Sequence, residues 1–274
     1  MLKSVCLSVF IIFKGSALAL SITHSGSSFF PTQKPGSKQV TIVLHGLNNK
    51  PEVMNELIGV LNDQGKDCVR VALTGHNGDD DSKASQKAWL KDIESAITYA
   101  ENLRPASRIS FLGFSAGGTV IINYLDQHSE VEVDGIYLFA PALALKTYAQ
   151  LVRLFIPLGF FGIPGFSVAP YEYRKYSFPS FKLYKSLFDT YNEVQTLKNP
   201  VRFKKTTLNI LLAEGDELVS NSGIRRWLDK NQLAEFAKIE TFEFEETVPD
   251  YKHQIIDPAT LGTKNWERIR EIIL

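Results

Sequence analysis

The chain has 274 residues, of which 44% are hydrophobic and 22% are charged. This length and composition suit one large globular domain that buries a full hydrophobic core. The 30 Lys and Arg residues balance the 30 Asp and Glu residues, so the chain lacks the basic excess that would indicate a nucleic-acid partner. The indications of function must therefore come from local motifs.

The first residues have the pattern of a secretory signal peptide. A short positive start precedes an apolar run over residues 5–13, and Ala17 and Ala19 form a small-residue cleavage pattern. The run is too short for a transmembrane helix. The pattern predicts a signal peptide over residues 1–19 and a secreted or periplasmic protein; the alternative is an apolar N-terminal element packed on the domain. Residues 20–37 are predicted to be a loose polar leader.

From residue 38 onwards, apolar strands alternate with helices. Strands that are continuous apolar runs, separated by helical periodicity, predict a mostly parallel sheet covered by helices on both faces. The second helix has Asp81 and Ser82 as candidate caps and runs to about Leu103. The predicted strands are 38–44, 67–73, 109–112, 135–140, 207–213 and 239–244. The other predicted helices are 51–61, 119–125, 222–236 and 263–274.

The alternation stops between residues 144 and 205, where Phe, Tyr, Pro and Gly are frequent. An insertion of this kind between two strands predicts a cap over the sheet, with a helix near residues 180–197. The apolar content of the cap has two explanations that the sequence leaves open. The cap is either a lid that forms an acyl pocket or touches lipid, or a small helical subdomain with ordinary packing.

The most informative local motif is Gly-x-Ser-x-Gly, with Ser115 at its centre. An apolar strand leads into the motif and a helix leads out, which is the context of a nucleophile elbow. Gly113 and Gly117 would provide the room that so tight a turn requires. The motif alone also occurs by chance, so an ordinary glycine-rich turn is the alternative.

A serine nucleophile needs a base, and the five histidines are the candidates. His24 lies in the leader and His128 lies at a polar helix end, where we expect both to be solvated. His45, His76 and His253 each follow a predicted strand. Functional groups of open α/β sheets collect at those strand ends, so all three remain candidates.

The acid that would orient the base has similar competitors. Asp216 directly follows the strand predicted at 207–213, with Glu214 and Glu217 beside it. Asp257 lies closer in sequence to the last histidine. For any one of these carboxylates, the alternative is a solvated loop residue.

Together, these motifs resemble the α/β-hydrolase family. Their order along the chain, with serine first, then the acid and then histidine, is that of the family's fold. The spacing is similar to the capped branch that includes monoacylglycerol lipases, lysophospholipases and serine aminopeptidase-like hydrolases. The resemblance covers residues 38–274 and implies an α/β-hydrolase fold with a helical cap. The motifs are His45-Gly46, Gly113 to Gly117, Gly215-Asp216 with Val219, and His253.

The resemblance also implies a role for each matched residue. Ser115 would be the nucleophile, His253 the base and Asp216 the orienting acid. The backbone N–H groups of Leu47 and Ala116 would form the oxyanion hole. His45 and Gly46 would shape the loop that carries the first of these donors.

The implied activity is cleavage of a carboxylic ester through an acyl-enzyme, without a metal or an organic cofactor. The substrate would be an acylglycerol, a lysophospholipid or a small acyl ester, with transient lipid contact through the cap. An aminopeptidase-like amide hydrolase is an alternative, with Glu172, Asp189 and Glu193 available to hold a substrate amine. A non-catalytic binding protein on the same fold is the other alternative.

Overall fold

The structure, a computed structural model, describes residues 27–78, 80–244 and 251–273. Within these residues, the strands form a seven-stranded sheet in the order β1-β3-β2-β4-β5-β6-β7. All neighbouring strands are parallel except β1 and β3, so the predicted mostly parallel sheet is confirmed. The strands are β1 (Ser28–Phe30), β2 (Gln39–Leu44), β3 (Asp67–Val71), β4 (Arg108–Phe114), β5 (Gly135–Phe139), β6 (Thr207–Ala213) and β7 (Ala237–Phe242).

Helices cover both faces of this sheet. Buried side chains of α2, α3 and α7 pack on one face, and those of α1 and α9 pack on the other. Because β2 to β6 are covered on both sides, they consist of nearly continuous apolar residues. The helices are α1 (Asn55–Asp63), α2 (Gln86–Leu103), α3 (Ala116–Gln127), α4 (Thr147–Gln150), α5 (Phe181–Glu193), α6 (Pro200–Phe203), α7 (Asn221–Lys230), α8 (Pro258–Leu261) and α9 (Thr263–Ile272).

The leader contributes an element that the sequence analysis did not predict. Strand β1 lies within residues 20–37 and pairs antiparallel with the outer edge of β3. The Phe29 ring packs edge-on against Tyr99, and the Arg70 guanidinium lies over the Phe30 ring at 5.1 Å. Polar and proline residues around so short a strand hid its signal. The predicted signal peptide, residues 1–19, lies outside the described residues.

The start of α2 and the end of α7 differ from the predicted ones. Helix α2 is capped by Ser85, whose side chain accepts the Ala88 N–H, and not by Asp81 or Ser82, which belong to a separate 3-10 turn. Helix α7 ends six residues early, near Gln232, whose φ of 57° is left-handed. The helical spacing of apolar residues continues past this turn, so the sequence does not show where the helix ends.

The chain between β5 and β6 forms the predicted cap, but much of it is not α-helical. A 3-10 helix, Leu151–Phe161, is followed by irregular chain up to α5. The cap exposes several large apolar side chains, and Phe160 and Phe161 are 86% and 80% exposed. The repeated prolines and glycines account for the irregularity, because proline cannot supply the N–H that an α-helix needs. No helix of the described residues is long and apolar enough to cross a membrane.

Candidate active site

The turn between β4 and α3 has the geometry of a nucleophile elbow. Ser115 has φ 50° and ψ −115°, a strained conformation for a residue with a side chain. A Cβ on Gly113 would lie 2.5 Å from the Ile121 side chain, and one on Gly117 would lie 2.6 Å from the His45 carbonyl oxygen. Both positions therefore require glycine for the turn to close. The surrounding turn holds Ser115 in this strained conformation at the carboxyl end of β4.

The structure brings Ser115, Asp216 and His253 together from three separate elements. Asp216 follows β6, and His253 lies between β7 and α8. The His253 Nε2 atom is 2.9 Å from the Ser115 Oγ, and its Nδ1 atom is 2.8 Å from an Asp216 carboxylate oxygen. All three side chains are buried. The three groups, which the sequence analysis singled out, form one continuous line of hydrogen bonds.

The carboxylate of Asp216 remains ionised. Burial alone would raise the pKa of this carboxyl, but the neighbouring His253 and the backbone N–H groups of Leu218 and Val219 lower it further than burial raises it. An ionised carboxylate only accepts hydrogen bonds. The proton between the two side chains must therefore lie on the Nδ1 atom of His253. Its Nε2 atom is then free to accept the proton of Ser115.

The competing carboxylates have other positions. Glu214 is exposed, and Asp257 accepts the Thr260 N–H at the start of α8. Glu217 has a role that sequence reasoning missed. Its two carboxylate oxygens accept the backbone N–H groups of Lys252 and His253, each at 2.9 Å. Glu217 thus holds the main chain of the histidine loop beside Asp216, a contact that no local motif could reveal.

The predicted oxyanion donors lie in the turns next to Ser115. Leu47 lies three residues past the end of β2, and Ala116 is the first residue of α3. Among the described residues, neither backbone N–H donates a hydrogen bond to another protein group. Gly46 allows the loop to pass close to the elbow, because a Cβ there would lie 2.9 Å from the Phe114 ring. Both donors are therefore available to a ligand atom beside Ser115.

Two of the remaining histidines support the oxyanion loop (residues 46–50). The His45 Nε2 atom accepts the Leu73 N–H at 3.1 Å, and the His76 Nε2 atom accepts the Asn48 N–H at 2.9 Å. Burial lowers the pKa of His45 to about 4 and that of His76 well below its usual value, so both are neutral at pH 7. Neither side chain is hydrogen-bonded to Ser115, whereas that of His253 is.

The remaining described histidine does not reach the site. His128 pairs with Glu130 on the surface. His24 lies outside the described residues. Within the described residues, no cluster of three or more His, Cys, Asp or Glu side chains is placed to hold a metal ion.

A mostly apolar cavity of about 320 Å³ opens next to Ser115 and His253. The cap provides most of its wall, through Tyr148, Val152 and Phe188 among others. No Asp or Glu of the described chain lines it. A cavity of this size and lining accommodates an apolar chain attached to a polar group that reacts at the serine.

The three acidic residues of the cap that were considered as an amine site do not reach this cavity. Asp189 pairs with Lys185 at 2.6 Å, and Glu193 pairs with Lys198 at 3.3 Å. Glu172 is exposed on the cap surface. The structure therefore does not bring them together at Ser115.

Comparisons with known proteins agree with this architecture. A monoacylglycerol lipase from Paleococcus ferrophilus superposes with a TM-score of 0.65 at 20% identity, over 90% of this chain and 97% of the other. A monoglyceride lipase from Saccharomyces cerevisiae superposes with a TM-score of 0.69 at 13% identity, over 90% of each chain. This chain has the α/β-hydrolase fold. The resemblance inferred from its motifs is thus confirmed for the fold.

Other comparisons add to the description of this fold. A carboxyl esterase from Bacillus coagulans superposes with a TM-score of 0.68 at 11% identity, over 90% of this chain and 92% of the other. The family model described as serine aminopeptidase, S33, matches residues 35–168. That match includes Ser115 and the oxyanion loop and ends before Asp216 and His253. No curated protein sequence matches the chain significantly.

Proposed function

We propose that this α/β-hydrolase is a serine hydrolase that cleaves carboxylic esters. One observation carries the proposal: an unbroken line of hydrogen bonds from Asp216 through His253 to Ser115 that ends at an apolar cavity. A solvated or structural serine has no need of a buried base, an ionised acid behind it and free N–H groups beside it. Nucleophilic catalysis needs all of them.

The proposed reaction follows from the positions of these atoms. The Ser115 Oγ attacks the ester carbonyl carbon while His253 Nε2 takes its proton, and Asp216 stabilises the resulting imidazolium. The N–H groups of Leu47 and Ala116 would stabilise the oxyanion, at roughly 3–4 kcal/mol per donor. His253 then protonates the departing alcohol. Water, activated by the same histidine, releases the acid and restores Ser115.

The cavity favours an ester with an apolar acyl chain, such as an acylglycerol or a lysophospholipid, over an amino-acid amide. A site for a substrate amine would need a carboxylate, and among the described residues no Asp or Glu lines the cavity. The monoglyceride lipases with the same fold are consistent with this choice. The aminopeptidase-like alternative predicts instead that amino-acid anilides are cleaved faster than acyl esters.

The proposal includes contact between the cap and lipid. Residues 144–205 contain ten Lys and Arg but three Asp and Glu, a net charge of +7 in a chain whose total is zero. They also expose Phe160 and Phe161, while Phe166 and Val168 are both exposed and part of the cavity wall. An apolar surface that continues into the cavity, on a segment with an excess of positive charge, suits an anionic membrane as the source of substrate. We also propose that the protein is secreted or exported to the periplasm, because residues 1–19 have the pattern of a signal peptide. The mass of the mature N-terminus tests this part of the proposal.

The test uses p-nitrophenyl esters of graded acyl length and a fluorophosphonate probe. We expect the wild-type protein to hydrolyse the esters and to be labelled at Ser115. Ser115→Ala should lose at least about 10⁴-fold in turnover and all labelling while keeping its circular dichroism spectrum. A wild-type protein that neither turns over esters nor reacts with the probe would instead be a binding protein on this fold.

A further inference from the structure

The cap and the oxyanion loop (residues 46–50) are joined by main-chain hydrogen bonds. The Lys50 N–H donates to the Tyr173 carbonyl at 2.9 Å, and the Lys175 N–H donates to the Asn48 carbonyl at 2.7 Å. Between them, Asn49 and Arg174 form an antiparallel bridge. Cap residues 173–176 thus pair with the loop in the manner of a short strand.

The side chain of Asn48 extends this pairing by one more step. Its Nδ2 atom donates to the Tyr176 carbonyl at 2.8 Å, and its Oδ1 atom accepts the Tyr176 N–H at 2.9 Å. The carboxamide therefore acts like an additional peptide group of a strand. On the opposite side, the Asn48 N–H donates to the buried His76. One residue thereby links the loop to the cap and to the sheet domain.

The residue at this position must meet an unusual set of requirements. Asn48 has φ 55°, is 3% exposed and must offer a donor and an acceptor in one plane. Asparagine tolerates the left-handed conformation better than most residues with a side chain, and its amide supplies both groups. Aspartate lacks the donor, and glycine keeps the backbone conformation but has neither group.

We propose that Asn48 is a positioning residue that holds the Leu47 N–H in place by tying the oxyanion loop to cap residues 173–176. The inference rests on the proposed function in one respect, the use of the Leu47 N–H as an oxyanion donor. Leu47 directly precedes Asn48, so movement of Asn48 moves that donor. An oxyanion donor acts only when it lies within hydrogen-bond distance of the oxygen in the transition state. The cap is in this way part of the catalytic geometry as well as the wall of the cavity.

The kinetic test compares Asn48→Gly with Gln232→Gly. Gln232 also has a left-handed φ, of 57°, but lies at the end of α7, so its replacement controls for the effect of glycine on the unfolded chain. We expect Asn48→Gly to lower kcat at least about tenfold with KM within about twofold, because the lost interaction acts in the transition state. Gln232→Gly should leave both constants unchanged. A KM increase with unchanged kcat would overturn the proposal.

An experiment that does not depend on turnover tests the link itself. Hydrogen exchange, followed by mass spectrometry, compares peptides over residues 46–50 and 172–177 in the wild type and in Asn48→Gly. We expect exchange to rise in both segments in the variant, although about 120 residues separate them in the sequence, and elsewhere to stay as in the wild type. Unchanged exchange at 172–177 would refute the link. If the wild-type protein hydrolyses no ester, the proposed function fails, and the exchange result still decides whether Asn48 joins the loop to the cap.

Discussion

The carboxyl edge of the sheet and the cap above it differ in burial and in regularity. At the sheet edge, Ser115, Asp216 and His253 are buried and hydrogen-bonded to one another. In the cap, Phe160 and Phe161 lie largely in solvent on an irregular 3-10 helix. A reaction needs groups held at fixed distances, whereas recognition of a variable apolar chain or a lipid surface needs an adaptable surface. The proposed chemistry thus belongs to the rigid region and the choice of substrate to the other.

The two regions are nevertheless connected at one place. The oxyanion loop belongs to the sheet edge by its contacts with His76, and to the cap by its pairing with residues 173–176. Substitutions at the sheet edge should therefore change turnover, and substitutions in the cap should change substrate or lipid binding, except at this connection. The following predictions test that separation, beginning with the largest effect.

Among the substitutions below, the largest effect is expected at Asp216, the proposed orienting acid. Asp216→Asn should lower kcat by about 10³- to 10⁴-fold, because an amide does not stabilise the imidazolium and favours the wrong tautomer of His253. Glu214→Gln, on the same turn but exposed, is the matched control and should keep wild-type turnover. The comparison is made with p-nitrophenyl butyrate at pH 7.5. A loss at Glu214 that equals the loss at Asp216 would contradict the assignment.

A smaller loss is expected at Glu217. Glu217→Gln should lower kcat by about tenfold, because the amide accepts one of the two N–H groups of the histidine loop and presents a donor to the other. The pH profile of kcat/KM should shift as well, since the His253 ring moves relative to Asp216. If the variant loses thermal stability but keeps the wild-type pH profile of kcat/KM, the role of Glu217 is structural only.

Acid should lower the free energy of unfolding through the histidines that are buried at the sheet edge. Burial lowers the pKa of His45 to about 4, whereas an unfolded histidine titrates near 6.5. Between these pH values the unfolded chain binds a proton that the folded chain does not. The free energy of unfolding should therefore fall as the pH falls from 6.5 to 4, by up to about 3 kcal/mol from His45 alone.

Urea unfolding at pH 7, 6, 5 and 4.5 measures this dependence. The lowered pKa of Asp216 acts below about pH 3.8, so it does not contribute in the same window. A free energy of unfolding that stays constant from pH 7 to 4.5 would show that the two inner histidines are not buried neutral.

The mildest effect on the chemistry is expected in the cap. The double variant Phe160→Ser, Phe161→Ser should keep wild-type turnover of a soluble butyrate ester, because neither side chain lines the cavity. Binding to vesicles that contain phosphatidylglycerol should fall about tenfold or more, measured by sedimentation. Phe236→Ser, a partly exposed position outside the cap, is the control and should bind as the wild type. Equal binding by all three proteins would exclude the cap as the lipid surface.

Much of the proposed site can be predicted from local sequence. The Gly-x-Ser-x-Gly motif lies between a strand and a helix, and each of these features depends on residues within a few positions of Ser115. Asp216 and His253 can be singled out in the same way, because each lies in the loop that follows a strand. The cap could be located but not described, because its many prolines and glycines remove the periodicity on which such a prediction rests.

The residue order determines the alternation of strands and helices, and with it the parallel sheet and the chemical types at the strand ends. The residue patterns alone left three histidines and four carboxylates as candidates. Only the folded chain shows which of them lie beside Ser115. That choice depends on hydrogen bonds between residues far apart, such as His253 and Ser115, which are 138 positions apart. The strand in the leader, the role of Glu217 and the contact between Asn48 and the cap are of the same kind. Local patterns report which groups a segment carries, but the packing of the sheet decides which of them meet.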